Sequence, residues 1–297
     1  MQMYFKLLNT KIKQHMAGLL VSLFVALLGI APHIVLSYSL GSGYRGVHMF
    51  ATPNEEAYIA IMEEILDGHP GAASMPFFEY KNKVPLLPPT LAHFYTFPVR
   101  WFGVSLISVV IFSKFLLLGL LCFAVYIFTY HLLEAGEPQR NKAGFYASAS
   151  GLLVTLGFDL VDYRSLLSYA LGRSSPEGFL VWTRPVNPVF GGILLFFFLT
   201  CIWNIFAGSS KKLWIVMSGL FLSLMMASYV FSWTAALTIL GLCAVYVFFK
   251  RQYKELCAYA LIFVLGILFS LPYWLRAFAA TQDQWYPEPA ARIGLFF

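Results

Sequence analysis

The chain has 297 residues, of which 59% are hydrophobic and 11% charged, far below the roughly 25% charged residues of a soluble domain. With a mean hydropathy of +0.72, this composition excludes an ordinary soluble enzyme and indicates an all-α polytopic bundle built for lipid. The net charge of +6 does not imply a nucleic-acid partner, because the basic residues are distributed as membrane topology requires.

Apolar stretches of about 18 to 27 residues recur, each long enough to cross a hydrocarbon core of roughly 30 Å. About seven spans are predicted, near 18–40, 104–130, 143–158, 189–207, 213–231, 232–249 and 256–274. Lys6, Lys11 and Lys13 precede the first run, which is too long for the apolar part of a usual signal peptide. Residues 1–17 are therefore read as a cytoplasmic N-terminus and the first span as a retained anchor in the plasma (inner) membrane.

Charge placement sets the orientation. The segments then assigned to the cytoplasm hold Lys6, Lys11, Lys13, Arg140, Lys142, Lys211, Lys212, Lys250, Arg251 and Lys254 within a few short loops. Only Glu134, Glu137 and Glu255 among the acidic residues fall on that side. This is the positive-inside pattern, and it puts loops 41–103 and 159–188 and the tail 275–297 on the extracytoplasmic side.

The 41–103 loop is long, and long loops usually have a task. It opens on Gly41-Ser42-Gly43-Tyr44-Arg45-Gly46, which fits G-x-G-x-x-G but follows a membrane span rather than a strand, so it reads as a flexible exit and not as a dinucleotide loop. Thr52-Pro53-Asn54-Glu55 then signals a helix start, with Thr52 as N-cap, Pro53 as first helical residue and Glu55 closing a capping box. The helix runs to a stop at Gly68. Tyr58, Ile61, Met62, Ile65 and Leu66 recur at helical spacing while Glu55, Glu56, Glu63, Glu64 and Asp67 take the other positions, an amphipathic pattern.

Glu79, Lys81 and Lys83 follow, read chiefly as solvated interfacial charges. The cluster Pro85, Pro88 and Pro89 prevents a straight helix, so the segment leading into Thr90–Arg100 is expected to lie at the interface rather than to span. Lys114 falls inside the second apolar stretch. An ionisable side chain there is costly and faces the bundle interior, either as a functional group or as half of an ion pair. Cys122, Cys201, Cys243 and Cys257 lack paired or metal-ligand spacing and read as small core residues.

The second loop carries Asp159, Asp162, Arg164, Arg173 and Glu177, and ends on Thr183-Arg184-Pro185-Val186-Asn187-Pro188. Arg184 is placed at the outer end of the fourth span, where a guanidinium beside free helix N–H groups suits a phosphate.

Taken together, a basic N-terminus with one span, an acidic Tyr-containing helix, a Pro-Pro entry to the membrane and an Arg-bearing second loop resemble the GT-C class of membrane glycosyltransferases. The class includes protein O-mannosyltransferases and the aminoarabinose transferases of lipid A, and its first outer loop carries an Asp-Glu-x-x-Tyr type motif. The matching stretch is Asn54-Glu55-Glu56-Ala57-Tyr58. Registered on Tyr58, Glu55 takes the Glu position and Asn54 replaces the Asp; shifted by one, Glu55 and Glu56 form the acidic pair. The resemblance implies a polyprenyl-phosphate-linked sugar as donor, with Glu55 or Glu56 as catalytic carboxylate. Tyr58, Glu79, Lys81, Lys114, Arg184 and Asn187 would line the substrate site. It requires no organic cofactor and no metal ligand set, and is compatible with a divalent cation. Members of the class are longer, so it also implies a chain continuing past Phe297. The rival expectations are a transporter or flippase of lipid-linked or amphiphilic substrates, centred on Lys114, and a non-catalytic membrane subunit.

Overall fold

A computed structural model describes residues 13–46, 52, 54–69, 85, 88–134, 142–161, 167, 171, 180–208 and 212–292. Every regular element among them is helical. The order is α1 (Met16–Leu40), α2 (Glu55–Leu66), α3 (Thr90–Phe102), α4 (Leu106–Glu134), α5 (Ala143–Val161), α6 (Val189–Phe206), α7 (Lys212–Met226), α8 (Val230–Phe249), α9 (Tyr253–Thr281) and the short α10 (Pro287–Arg292).

Among the described residues five helices are long and apolar enough to cross a membrane: Met16–Gly43, Leu106–Glu134, Val189–Phe206, Val230–Phe249 and Tyr253–Thr281. Apolar helices also form at Ala143–Gly157 and Lys212–Met226, both under 18 residues. Phe24, Leu20, Leu153, Leu242, Leu275 and Phe278 are exposed, as expected where lipid replaces water as the solvent of the outer face.

The division between α7 and α8 falls at residues 227–229, ahead of the boundary predicted at Ser232. The N–H groups of Ser228 and Tyr229 both turn back to the carbonyl of Met225, and Tyr229 is extended at φ −149°. These bonds end α7 at Met226, ahead of the predicted limit at 231. α9 likewise continues past the predicted limit at 274 to Thr281 with Pro272 inside it, because a proline removes one helix bond without removing its neighbours. The Pro85–Pro89 cluster does not prevent a helix at Thr90–Phe102 either. Pro88 and Pro89 precede it, and Pro89 accepts from the N–H of His93 in its first turn. At 13 residues α3 is about 20 Å long and too short to span.

Two large apolar cores lie in the bundle, with smaller clusters beside them. One joins Phe198, Ile202 and Ile205 of α6 to Leu222, Met225 and Met226 of α7, Leu240 of α8 and Tyr259 and Ile262 of α9. The other lies under the candidate site and unites Met62 and Ile65 of α2, Tyr95 of α3, Val110, Leu117 and Leu121 of α4 and Val189 and Ile193 of α6. Cys122 and Cys201 are buried in the bundle as expected, whereas Cys243 is half-buried and Cys257 exposed; all four are free thiols.

α1 and α4 meet through small residues. A Cβ at Gly119 would stand 2.9 Å from Cβ of Ala26 and 3.2 Å from the Ser22 carbonyl oxygen. One at Gly29 would stand 2.8 Å from the carbonyl oxygen of Lys114. Close backbone approach of this kind is how membrane helices gain packing energy when lipid is as apolar as their side chains. Gly29→Val and Gly119→Val are expected to destabilise the protein by about 1–3 kcal/mol each through overpacking. Gly43→Val, where a Cβ meets nothing within 4 Å, is expected to leave thermal unfolding in detergent unchanged.

Candidate functional site

The sequence of α2 places Glu55, Met62 and Ile65 on its buried side. Glu55 lies seven residues before Met62, two helical turns away, and so shares the apolar face instead of the polar face expected for it. A carboxylate carried under the helix needs compensation, and α4 supplies it. Lys114 Nζ donates to Oε1 of Glu55 at 2.8 Å and to Oε2 at 2.9 Å. Both groups are sealed from solvent, Glu55 at 0% and Lys114 at 2% exposure. Lys114 sits roughly 12 Å into α4 from Leu106, at about 1.5 Å per residue. Lys114 is thus half of a buried ion pair.

The start of α2 differs from expectation in the same detail. Helix geometry begins at Glu55, with Asn54 as N-cap at φ 65° and no side-chain cap bond. The hydroxyl of Thr52 does not accept from the helix; it donates to Glu55 Oε1, and the Thr52 N–H donates to that oxygen at 3.0 Å. The carboxylate half of the capping box is formed, while the Thr hydroxyl is turned to neutralising the same carboxylate. At its other end α2 stops at Leu66, followed by Gly68 at φ 95°, and the guanidinium of Arg100 in α3 donates to the carbonyl of Ile65.

Two further segments close on this pair. Tyr95 of α3 is 1% exposed, and its phenol oxygen accepts from the N–H of Val186 at 3.2 Å. Burial pushes the Tyr95 phenol above its usual range; hydrogen bonding to Ser113 and Val186 opposes this, and the charge of Glu55 adds to it. The segment ahead of α6 brings in Arg184, whose Nε donates to the carbonyl of Asn187 at 2.6 Å and whose guanidinium lies 5.8 Å from the ring centre of Tyr58. Such a cation–π contact contributes about 0.5–2 kcal/mol depending on its desolvation. Arg184 is five residues ahead of the helix start at Val189, and it meets Tyr58 on one side and the Asn187 carbonyl at the approach to α6 on the other. The Asn187 side-chain N–H approaches Ser228 O at 3.5 Å, while its Oδ1 is buried without a partner among the described residues.

Glu55, Tyr58, Lys114, Arg184 and Asn187, widely separated in sequence, thus belong to one constellation. Glu56 is adjacent to it and exposed. Glu79 and Lys81 lie outside the described residues, as do Lys83, Asp162 and the side chain of Asp159. Tyr95 and Ser113 are members that sequence reasoning missed. Tyr95 carried a faint signal as a phenol within a run of Phe and Trp, since a buried Tyr hydroxyl usually has a partner.

The chemistry divides between the two glutamates. Glu55 is engaged inside the bundle by the Lys114 ammonium and by the N–H and hydroxyl of Thr52, which gives this carboxylate a structural role. Among the described residues Glu56 has no such partner, and it faces solvent. Among the described residues no group of three or more His, Cys, Asp or Glu could hold a metal ion.

Breaking a buried pair on one side is costlier than removing both charges. Glu55→Gln and Lys114→Met are each expected to destabilise the protein by about 3–5 kcal/mol, with the double variant losing clearly less than the sum, in a double-mutant cycle read by thermal unfolding. Equal and additive losses would contradict the pairing. Comparison with known protein families, curated proteins and solved structures yields no match.

Proposed function

We propose that this chain is a polytopic, seven-span membrane glycosyltransferase of the GT-C type that moves a sugar from a polyprenyl-phosphate donor to an acceptor on the extracytoplasmic face. The observation that carries the reading is the convergence of the Glu55-Glu56-Ala57-Tyr58 motif of α2 with Lys114 and with the Arg184–Asn187 segment. The shorter helices α5 and α7 complete the span count, and α2 lies on the outer side, its exposed acidic positions directed away from the bundle.

In this reading Glu56 is the general base. It accepts the proton of an acceptor hydroxyl as that oxygen forms its bond to the anomeric carbon. The bond from that carbon to the phosphate oxygen breaks, and the polyprenyl phosphate leaves with the electron pair. Arg184 compensates the charge that develops on the phosphate, and a charge-assisted contact strengthens as that charge grows. Asn187 Oδ1 is available to accept from a sugar hydroxyl. Glu55 acts as a positioning residue, its pairing with Lys114 fixing the first turn of α2 and with it the neighbouring Glu56.

A second reading is favoured by one observation, the Glu55–Lys114 ion pair inside a candidate span. Such pairs mark substrate pathways in transporters. Counterflow of lipid-linked sugar in proteoliposomes without glycosidic bond formation would select it.

Glu56→Gln is expected to slow sugar transfer in proteoliposomes supplied with polyprenyl-phosphate-linked hexoses by about 100-fold or more, the usual contribution of a general base. Donor binding and thermal unfolding should remain unchanged. Normal transfer by this variant would remove Glu56 from the mechanism. Arg184→Lys is expected to weaken donor binding, because an ammonium does not reproduce the planar fork of a guanidinium.

A further inference from the structure

A second site lies apart from the glutamates. A cavity of about 650 Å³ opens between the entry to α3 and the last turns of α9, lined by Pro85, Pro88, Pro89, Thr90, His93, Arg276 and Ala279. Its volume is that of an ordinary small-molecule pocket. Its charged and titratable lining is basic: Arg276 comes from α9 and His93 from α3, and neither makes an ion pair among the described residues. Arg100 is close enough to add to the positive field at His93. Burial first, and then the charges of Arg100 and Arg276, hold the His93 imidazole below its ordinary range. Among the described residues the cavity lining therefore combines a guanidinium and an imidazole with no acidic group.

The remaining described walls are apolar apart from the Thr90 hydroxyl. The prolines and Ala279 give no donor, and the N–H of Thr90 is already given to the Pro88 carbonyl. Phe94, Phe97, Trp101 and Phe102 of α3, together with Leu275 and Phe278 of α9, are exposed nearby on the two helices that frame the opening. Trp101, exposed on a helix too short to span, suits the headgroup level of a bilayer, where its amphipathic indole settles, and the Phe rings beside it add apolar surface.

We propose that this cavity binds the phosphate group of an anionic amphiphile, with Arg276 and His93 donating to the phosphate and the acyl or prenyl tail leaving along the apolar faces of α3 and α9. A guanidinium pairs with phosphate through two parallel N–H donors, and the imidazole N–H adds a third. The start of α3 favours an anion through its helix dipole. The site is independent of the transferase reading and stands whether or not Glu56 is a base.

Native mass spectrometry of the full chain in detergent, offered phosphatidic acid and phosphatidylcholine of the same acyl chains, tests the proposal. Preferential retention of phosphatidic acid is expected, reduced about tenfold or more in Arg276→Gln and reduced also in His93→Gln. Arg251→Gln, at the turn between α8 and α9, should retain it normally. Arg276 and His93 are exposed, so these changes should leave thermal unfolding intact, and unfolding is recorded alongside. Equal retention of the two lipids, or a preference unchanged in Arg276→Gln, would overturn the proposal. Inorganic phosphate supplied alone distinguishes the source of the anion: binding abolished by Arg276→Gln, with no lipid retained, would overturn the amphiphile in favour of a soluble phosphate.

Discussion

A lone cation within an apolar helix must be paired, and the way Lys114 is paired organises one end of this protein. Burying an ammonium or a carboxylate alone costs several kcal/mol even after relaxation. Lys114 and Glu55 meet that cost jointly, with Thr52 supplying two further donors to the same carboxylate. Because Glu55 is the first residue of α2, the pair fixes where that helix begins and which face it turns to the bundle. Met62 and Ile65 then follow onto the same core as Tyr95 and Val110.

The pair in turn depends on where α4 stands. Gly29 of α1 packs against the backbone of Lys114 itself, and Gly119 lets Ser22 and Ala26 come close one turn further on. Small residues on α1 therefore set the position of the cation in α4, and the cation sets the position of α2. Arg100 ties α3 to the end of α2, and Tyr95 ties α3 to the chain entering α6. Through these links a helix of only 12 residues holds a defined place beside Arg184, which a helix so short would not keep by propensity alone.

The apolar helices were legible because composition and length suffice to find them, and each predicted stretch is helical over most of its length. Their ends were less so. The break at 227–229 is made by backbone bonds to Met225 within a continuous apolar run, which hydropathy does not register. The site was half legible. Lys114 stood out as an intramembrane charge and Glu55 as part of a motif, but they lie 59 residues apart, and no local pattern pairs them. The spacing of Glu55 to Met62 did hold the clue, since it puts the carboxylate on the apolar stripe; assigning it to the polar face by residue type concealed this. The contact of Arg184 with Tyr58, and the membership of Tyr95, are tertiary facts with no sequence period behind them.

The central claim is that the buried ion pair holds α2 against α4. Hydrogen–deuterium exchange of the amides from Tyr58 to Leu66, compared in a nanodisc between the native chain and the Glu55→Gln variant, tests it most directly. The account predicts slow exchange in the native chain and much faster exchange in the variant, confined to α2 and its junction with α3, with α6 to α9 unchanged. Equal protection of α2 in the two proteins would contradict it.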